Sequence, residues 1–197
     1  MKTISLFPID VYTKKIDVDW NQSQILERLD RYFLDQKHNG VVDNDLHKEV
    51  LFKPLVEFMD VAVAEYWKIL DYDTGYPVSI SQLWANRYDQ GDLYPHNLDN
   101  DSPAIVTCVF YVSKDSAEQG NLFFGDPNHL LIKTQPLSTN RRYQSQPEFD
   151  GRTGDLICFP SWLQHGIKPN HTDIPRLSIA ANYELKGLNT IKKAMTK

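Results

Sequence analysis

Cysteine is scarce in this chain: Cys108 and Cys158 are the only two among 197 residues. That scarcity excludes a disulfide framework and every cysteine-rich zinc module. Both sit inside apolar runs, VTCVFYV and LICFP, so two buried, reduced thiols are expected. Long apolar stretches are missing as well. The opening MKTISLFPIDVYTKKIDVDW holds no run long enough for a signal peptide or a membrane span, which leaves a soluble intracellular protein as the expectation. There is no GxGxxG loop, no phosphate-cradling P-loop and no serine nucleophile elbow. Positive charge is not in excess either. Lys and Arg number 21 against 26 Asp and Glu, a net charge of −5. This balance argues against a nucleic-acid binder that works by bulk phosphate neutralisation, while a local basic groove stays open.

What is present describes one ordinary domain: 41% hydrophobic, 12% aromatic and 24% charged. A chain of this length buries roughly 70% of the surface its unfolded form exposes, so it needs no covalent staples. No repeat or flexible linker divides it. Its character changes near residue 71, so the expected organisation is a single domain over 1–197, with a helical part at 1–70, a β core at 71–185 and a tail at 186–197. In the first part, Asp19-Trp20-Asn21 leads into a helix whose Ile25, Leu29, Tyr32 and Phe33 share one face, and His38-Asn39-Gly40 stops it. A second helix runs from about Pro54 to Leu70. It is apolar almost all round, which predicts cover on more than one side. His38 and His47 read as solvated surface histidines.

After residue 71, short strands alternate with turn residues: 78–88, 104–112, 121–125, 129–133, 155–159 and 176–185. Such a series predicts an antiparallel sandwich or barrel with the helices against one outer face. The polar segment 134–153 is long enough to read as a functional or disordered loop. The tail GLNTIKKAMTK reads as solvated or as a short basic helix.

Histidines and carboxylates remain to carry chemistry. NRYDQGDLYPHNLDNDSPAIVTCVFYVS holds His96, with Asp99 and Asp101 close behind it. GDLICFPSWLQHGIKPNHTDIPRLSIAANYEL holds His165 just after a buried strand, then Arg176 opening the last strand. Two histidines and a carboxylate on one side of a metal leave positions open for a chelating cosubstrate and oxygen, an arrangement suited to iron(II). A strand, a His with Asp, two or three strands, a second His and an Arg opening a final strand is a much rarer order than any lone histidine. His129 and His171 have no such context and read as turn or edge histidines.

On these residues the chain resembles the iron(II)/2-oxoglutarate-dependent oxygenases. HNLDNDSPAIVTCVFYVSKDSAEQGNLFFGDP looks like the first half of a prolyl-hydroxylase-like core, and PSWLQHGIKPNHTDIPRLSIAANYEL like the second. NRYDQGD, GNLFFGDP and FPSWLQHGIKPN…RLSIAANY resemble, more closely, small oxygenases of bacteria and their phages. The likeness spans roughly 78–185. It implies a mainly β fold with N-terminal helices: a double-stranded β-helix, the jelly-roll or cupin-like architecture, buttressed by those helices. It implies iron(II), 2-oxoglutarate and O2, and oxidative decarboxylation to succinate and CO2 coupled to hydroxylation of a C–H bond. It implies a cytoplasmic protein of bacterial or phage origin, acting on a small-molecule or macromolecular substrate and compatible with a homodimer. Carried over, His96 and His165 match the ligating histidines, and Arg176 matches the basic residue that pairs with the distant carboxylate of 2-oxoglutarate. Asn86 and Tyr88 sit where the family often places side chains on the cosubstrate; ordinary strand alternation is the competing reading, with Tyr88 simply core. Trp162 reads first as a packing residue beside the sheet, second as a wall of the substrate side.

One position departs from the pattern. Leu98, not Asp or Glu, stands two residues after His96, and Asp99 comes one residue late. Asp99 completes the metal site through an extra loop residue, or Asp101 reaches back, or the carboxylate is missing, or the site is degenerate. Leucine would crowd a halide, which ranks the missing carboxylate below Asp99. Two rivals follow: a metal-dependent cupin that does not use 2-oxoglutarate, and a catalytically silent jelly-roll binding module.

Overall fold

The computed structural model describes residues 9–35, 41–42, 45–72, 75–97, 103–127 and 146–186. A short strand β1 (Tyr12–Lys15) precedes helix α1 (Gln22–Asp35). Asn21 enters the helix with a left-handed φ of 59°, a conformation asparagine tolerates, and its backbone N–H donates to Asp19 Oδ1. Ile25, Leu29 and Phe33 recur every four residues and are buried, with Tyr32 packed beside them. After strand β2 (Val41–Val42), two single 3-10 turns lead into α2 (Lys53–Ile69), with Pro54 in its first turn, where its missing N–H costs nothing. Here the expectation of cover on more than one side fails. Leu55, Phe58, Met59, Ala62, Val63, Tyr66 and Trp67 form one buried stripe, while Val61, Ala64 and Ile69 lie exposed with Glu57 and Lys68. The outer apolar residues of α2 are too small and too interspersed with charge to attract a second layer. Among the described residues no helix is long and apolar enough to cross a membrane.

The strands that follow are β3 (Val78–Tyr88), β4 (Tyr94–Asn97), β5 (Val106–Ser113), β6 (Leu122–Phe124), β7 (Glu148–Phe149), β8 (Asp155–Pro160), β9 (His165–Ile167) and β10 (Arg176–Leu185). They form two antiparallel sheets, ordered β1-β8-β5-β10-β3-β2 and β4-β9-β6-β7. From β3 onward the chain crosses between sheets at every strand or pair of strands, which makes the fold a double-stranded β-helix. Among the described residues, four strands, not two or three, separate β4 from β9; the extra one is β7, inside the segment read as a loop. Strand 129–133, the tail 187–197, His38 and His129 lie outside the described residues.

Strand alternation divides the large sheet into two faces. Leu177, Ile179, Ala181 and Tyr183 of β10, with Cys108 and Phe110 of β5 and Leu156 and Cys158 of β8, face the helices. Trp20 meets Phe110 edge-on with ring centroids 4.9 Å apart. The opposite face supplies Val109, Tyr111, Ile157, Phe159 and Ala180 to a second core, closed by Leu122, Phe124 and Ile167 of the small sheet. Cys108 and Cys158 are free, buried thiols at directly opposed positions of β5 and β8, with sulfurs 3.1 Å apart.

Candidate active site

Strand β4 pairs with β9, with Tyr94 opposite Ile167 and Asn97 opposite His165. Three steps on β4 match two on β9, so His96 falls in a bulge and its backbone lies beside the strand of His165. Gly166 lets these strands close. A Cβ there would stand 2.7 Å from the Tyr94 carbonyl oxygen and 2.6 Å from the Phe123 ring. The half-buried His165 places Nδ1 2.9 Å from the Leu163 carbonyl oxygen. A carbonyl can only accept, so Nδ1 carries the proton and Nε2 the lone pair, which is the tautomer a metal requires. Phe159 holds the ring edge-on at 4.8 Å. Asp99 and Asp101 lie outside the described residues, and among the described residues no three His, Cys, Asp or Glu side chains gather to hold a metal.

Arg176 opens β10 and faces the space between the sheets. It is fully buried, and no carboxylate pairs with it among the described residues. Nη1 donates to the Gly120 carbonyl oxygen at 3.0 Å, while Nε and Nη2 have no hydrogen-bond partner. Tyr88, directly opposite in register, stacks its ring 4.7 Å from the guanidinium carbon, and Tyr111 lies at 5.5 Å. Burial pushes the Arg176 pKa down from its ordinary value, and the two tyrosines oppose that shift. Burial also raises Tyr88 and pushes Tyr111 up to about 12, so both phenols stay protonated and able to donate. Tyr111 Oη and Ser178 Oγ, on the same face, are buried without a hydrogen-bond partner too. Orphaned buried donors each cost about 1–3 kcal/mol. Clustered around an unpaired cation, they fit an anion with several acceptor oxygens, above all a carboxylate.

Of the sequence candidates, the structure joins Tyr88 to Arg176, with the Tyr88 ring also packed against the second core. Asn86 stands opposite Ser178 on the same inner face. Sequence reasoning missed Tyr111, Ser178 and Gly120. Ser178 was within reach, since two residues beyond Arg176 on a strand means the same face; nothing marked Tyr111 within its apolar run. Trp162 is 52% exposed, so it is not a packing residue. His171 is exposed, as expected of a turn histidine. His47 departs from the solvated reading: it is half-buried, with Nδ1 enclosed and unpartnered.

A double-stranded β-helix with adjoining histidine strands on its small sheet and a buried, uncompensated arginine on its large sheet describes the oxygenases that use a 2-oxo acid with non-haem iron. The family model described as "Putative 2OG-Fe(II) oxygenase" matches residues 82–182, just over half of the chain. The chain belongs to this family, and its cofactors are iron(II) and 2-oxoglutarate, with O2 as oxidant. None of the curated proteins matches it in sequence. Solved structures share the fold. A prolyl-4-hydroxylase of Pseudomonas putida is 15% identical, with 91% of this chain and 94% of that one covered and a TM-score of 0.61. HygX of Streptomyces hygroscopicus, crystallised with nickel, 2-oxoglutarate and hygromycin B, is 15% identical over 90% and 84% of the two chains, with a TM-score of 0.62. The epimerase SnoN of nogalamycin biosynthesis is 16% identical over 89% and 77%, again at 0.62.

Proposed function

We propose that the protein is a hydroxylase: it couples decarboxylation of 2-oxoglutarate to insertion of one oxygen atom of O2 into a C–H bond, giving an alcohol, succinate and CO2. The observation that carries this reading is the buried Arg176 guanidinium with two unpaired nitrogens, ringed by the unpaired hydroxyls of Tyr111 and Ser178. A cupin that does not use 2-oxoglutarate, or a silent jelly roll, has no use for an enclosed cation without a counter-ion. His96, His165 and Asp99 would hold the metal, with Asp101 as the alternative carboxylate. The bound metal, together with the 2-oxo acid and O2, supplies an oxidant strong enough to break a C–H bond.

The chain's own residues bind, orient and exclude water. Arg176, with the hydroxyls of Tyr111 and Ser178 on the same face, would hold the far carboxylate of 2-oxoglutarate, and the Tyr88 ring covers the guanidinium. Asn86, one step along the same face and opposite Ser178, would contact the cosubstrate. The Leu163 carbonyl keeps the His165 proton on Nδ1. The exposed Trp162 stands at the turn before His165 as a wall for substrate. HygX was crystallised with a small molecule, and a small-molecule substrate is the reading for this chain.

The test is anaerobic addition of Fe(II) and 2-oxoglutarate. A weak visible charge-transfer band is expected, lost in His165→Ala and shifted to far higher 2-oxoglutarate concentrations in Arg176→Ala. Absence of the band in well-folded wild-type protein overturns the assignment. Outcomes other than hydroxylation, such as the epimerisation named for SnoN, separate by whether the second oxygen atom of 18O2, the one not taken by succinate, appears in the converted substrate.

A further inference from the structure

The segment joining β9 to β10 is tied down by a buried amide that no catalytic step uses. Asn170 is 1% exposed. Its Nδ2 donates to the carbonyl oxygens of Tyr88 and Ile174, both at 3.0 Å. Its Oδ1 accepts from the backbone N–H and the hydroxyl of Thr172, both at 2.9 Å. Its backbone N–H donates to Asp92 and its carbonyl accepts from Gly91, so the turn after β3 is held from the same point. One side chain thus grips the strand end that carries Tyr88 and, through Thr172 and Ile174, the turn that leads into Arg176. A second amide reaches the same place from the far side. Buried Gln119 directs Nε2 at the carbonyls of Ile174 and Pro175, at 3.4 and 3.5 Å. Its Oε1 accepts from the backbone N–H groups of Asp115 and Ser116. Gln119 also precedes Gly120, whose carbonyl receives Arg176 Nη1.

We propose that Asn170, assisted by Gln119, is a positioning residue for the carboxylate pocket of Arg176. Fully used buried amides hold backbone to a single geometry, because every alternative leaves a polar group unpaired in a place water cannot reach. Here the fixed quantities are the start of β10 and the Tyr88 backbone opposite it. The guanidinium is therefore held between Tyr88 and Tyr111 before any ligand arrives, and the two unpaired nitrogens stay aimed at one spot. Without the clamp, Arg176 gains freedom that binding must then remove.

The inference rests on 2-oxoglutarate binding at Arg176, and its test separates the two claims. Anaerobic titrations on the Fe(II)-loaded protein use two probes: 2-oxoglutarate, and pyruvate, which keeps the chelating 2-oxo acid but lacks the distant carboxylate. Asn170→Asp retains the acceptor for Thr172 and removes both donations to carbonyls. It is expected to weaken 2-oxoglutarate by about tenfold and to leave pyruvate and Fe(II) affinity within about twofold. Thr172→Val, which removes the hydroxyl's bonds to Asn170 Oδ1 and to the Ile174 carbonyl and N–H but keeps both Asn170 donations, is expected to leave all three near wild type. Gln119→Glu, which keeps its accepted bonds and loses its donations, reports on the same carbonyls should Asn170→Asp not fold. Equal loss of both 2-oxo acids, or an unchanged affinity for 2-oxoglutarate, overturns the positioning role alone. A wild-type protein that takes up pyruvate and 2-oxoglutarate with the same affinity overturns the carboxylate pocket and the clamp together.

Discussion

Arg176 carries a cost in the ligand-free protein. Its charge is enclosed, Nε and Nη2 are unpaired, and the compensation is one carbonyl and two aromatic faces. Arg176→Met keeps most of the side-chain volume and removes the orphaned donors. It is expected to stabilise the cosubstrate-free protein by about 1–2 kcal/mol while abolishing 2-oxoglutarate binding, as read by thermal melts with and without the ligand. A melt temperature that falls in the ligand-free state would mean the arginine is already compensated. The carboxylate next to His96 is the other question at this scale. Asp99→Ala is expected to lower Fe(II) affinity by about tenfold or more, and Asp101→Ala to leave it close to wild type, by metal titration. The reverse result assigns the ligand to Asp101.

At the scale of elements, close strand approach decides the site. Gly120 has a φ of 88°, and a Cβ there would lie 2.2 Å from the Lys168 carbonyl oxygen. Gly120→Ala is expected to destabilise by about 2 kcal/mol or more and to weaken 2-oxoglutarate, because the displaced Gly120 carbonyl is the one that anchors Arg176. Chemical denaturation measures the first effect and cosubstrate titration the second. The elements also differ in how openly the sequence declares them. Strands β3 and β10 were legible to the residue, being long, branched and bounded by turn residues. Helix α1 was legible from its three- and four-residue spacing, and α2 from the proline at its start and its length, though not the side it buries. Strands β4, β7 and β9 were not: YPHN, EF and HGI are too short and too polar for any period to show. They exist because neighbouring strands supply hydrogen bonds, a tertiary cause that local pattern does not carry. The candidate histidines were legible only as an order along the chain, and Arg176 as a basic residue at a strand start. The place of Tyr111 beside Arg176 depends on how neighbouring strands pack, and no single strand records that.

Across the whole molecule, the Arg176 end of the barrel is fastened by charge. Lys114, with a fully buried side chain, donates to Asp150 Oδ1 at 3.0 Å, to Asn121, and to the carbonyls of Ser116 and Gly151. This joins the end of β5 to the segment after β7. Asp150 is held below its ordinary carboxylate pKa by its hydrogen bonds to Arg152 and then to Lys114. A lowered folded pKa contributes stability that is present above the unfolded value and lost as pH falls through the folded one. Wild type is therefore expected to melt higher than Asp150→Asn at pH 6, with the gap closing below about pH 4. A gap that does not narrow at all as pH falls below about 4 would show that the ion pair does not report through Asp150.

The division of labour between the two sheets has a mechanical consequence. His165 belongs to the small sheet and Arg176 to the large one. A dicarboxylate held at both places is a strut between two otherwise separate hydrogen-bonded layers. Loading it should slow amide hydrogen exchange along the whole of β9 and β10 together, beyond the residues it touches, while pyruvate, too short to reach across, should protect the small sheet alone.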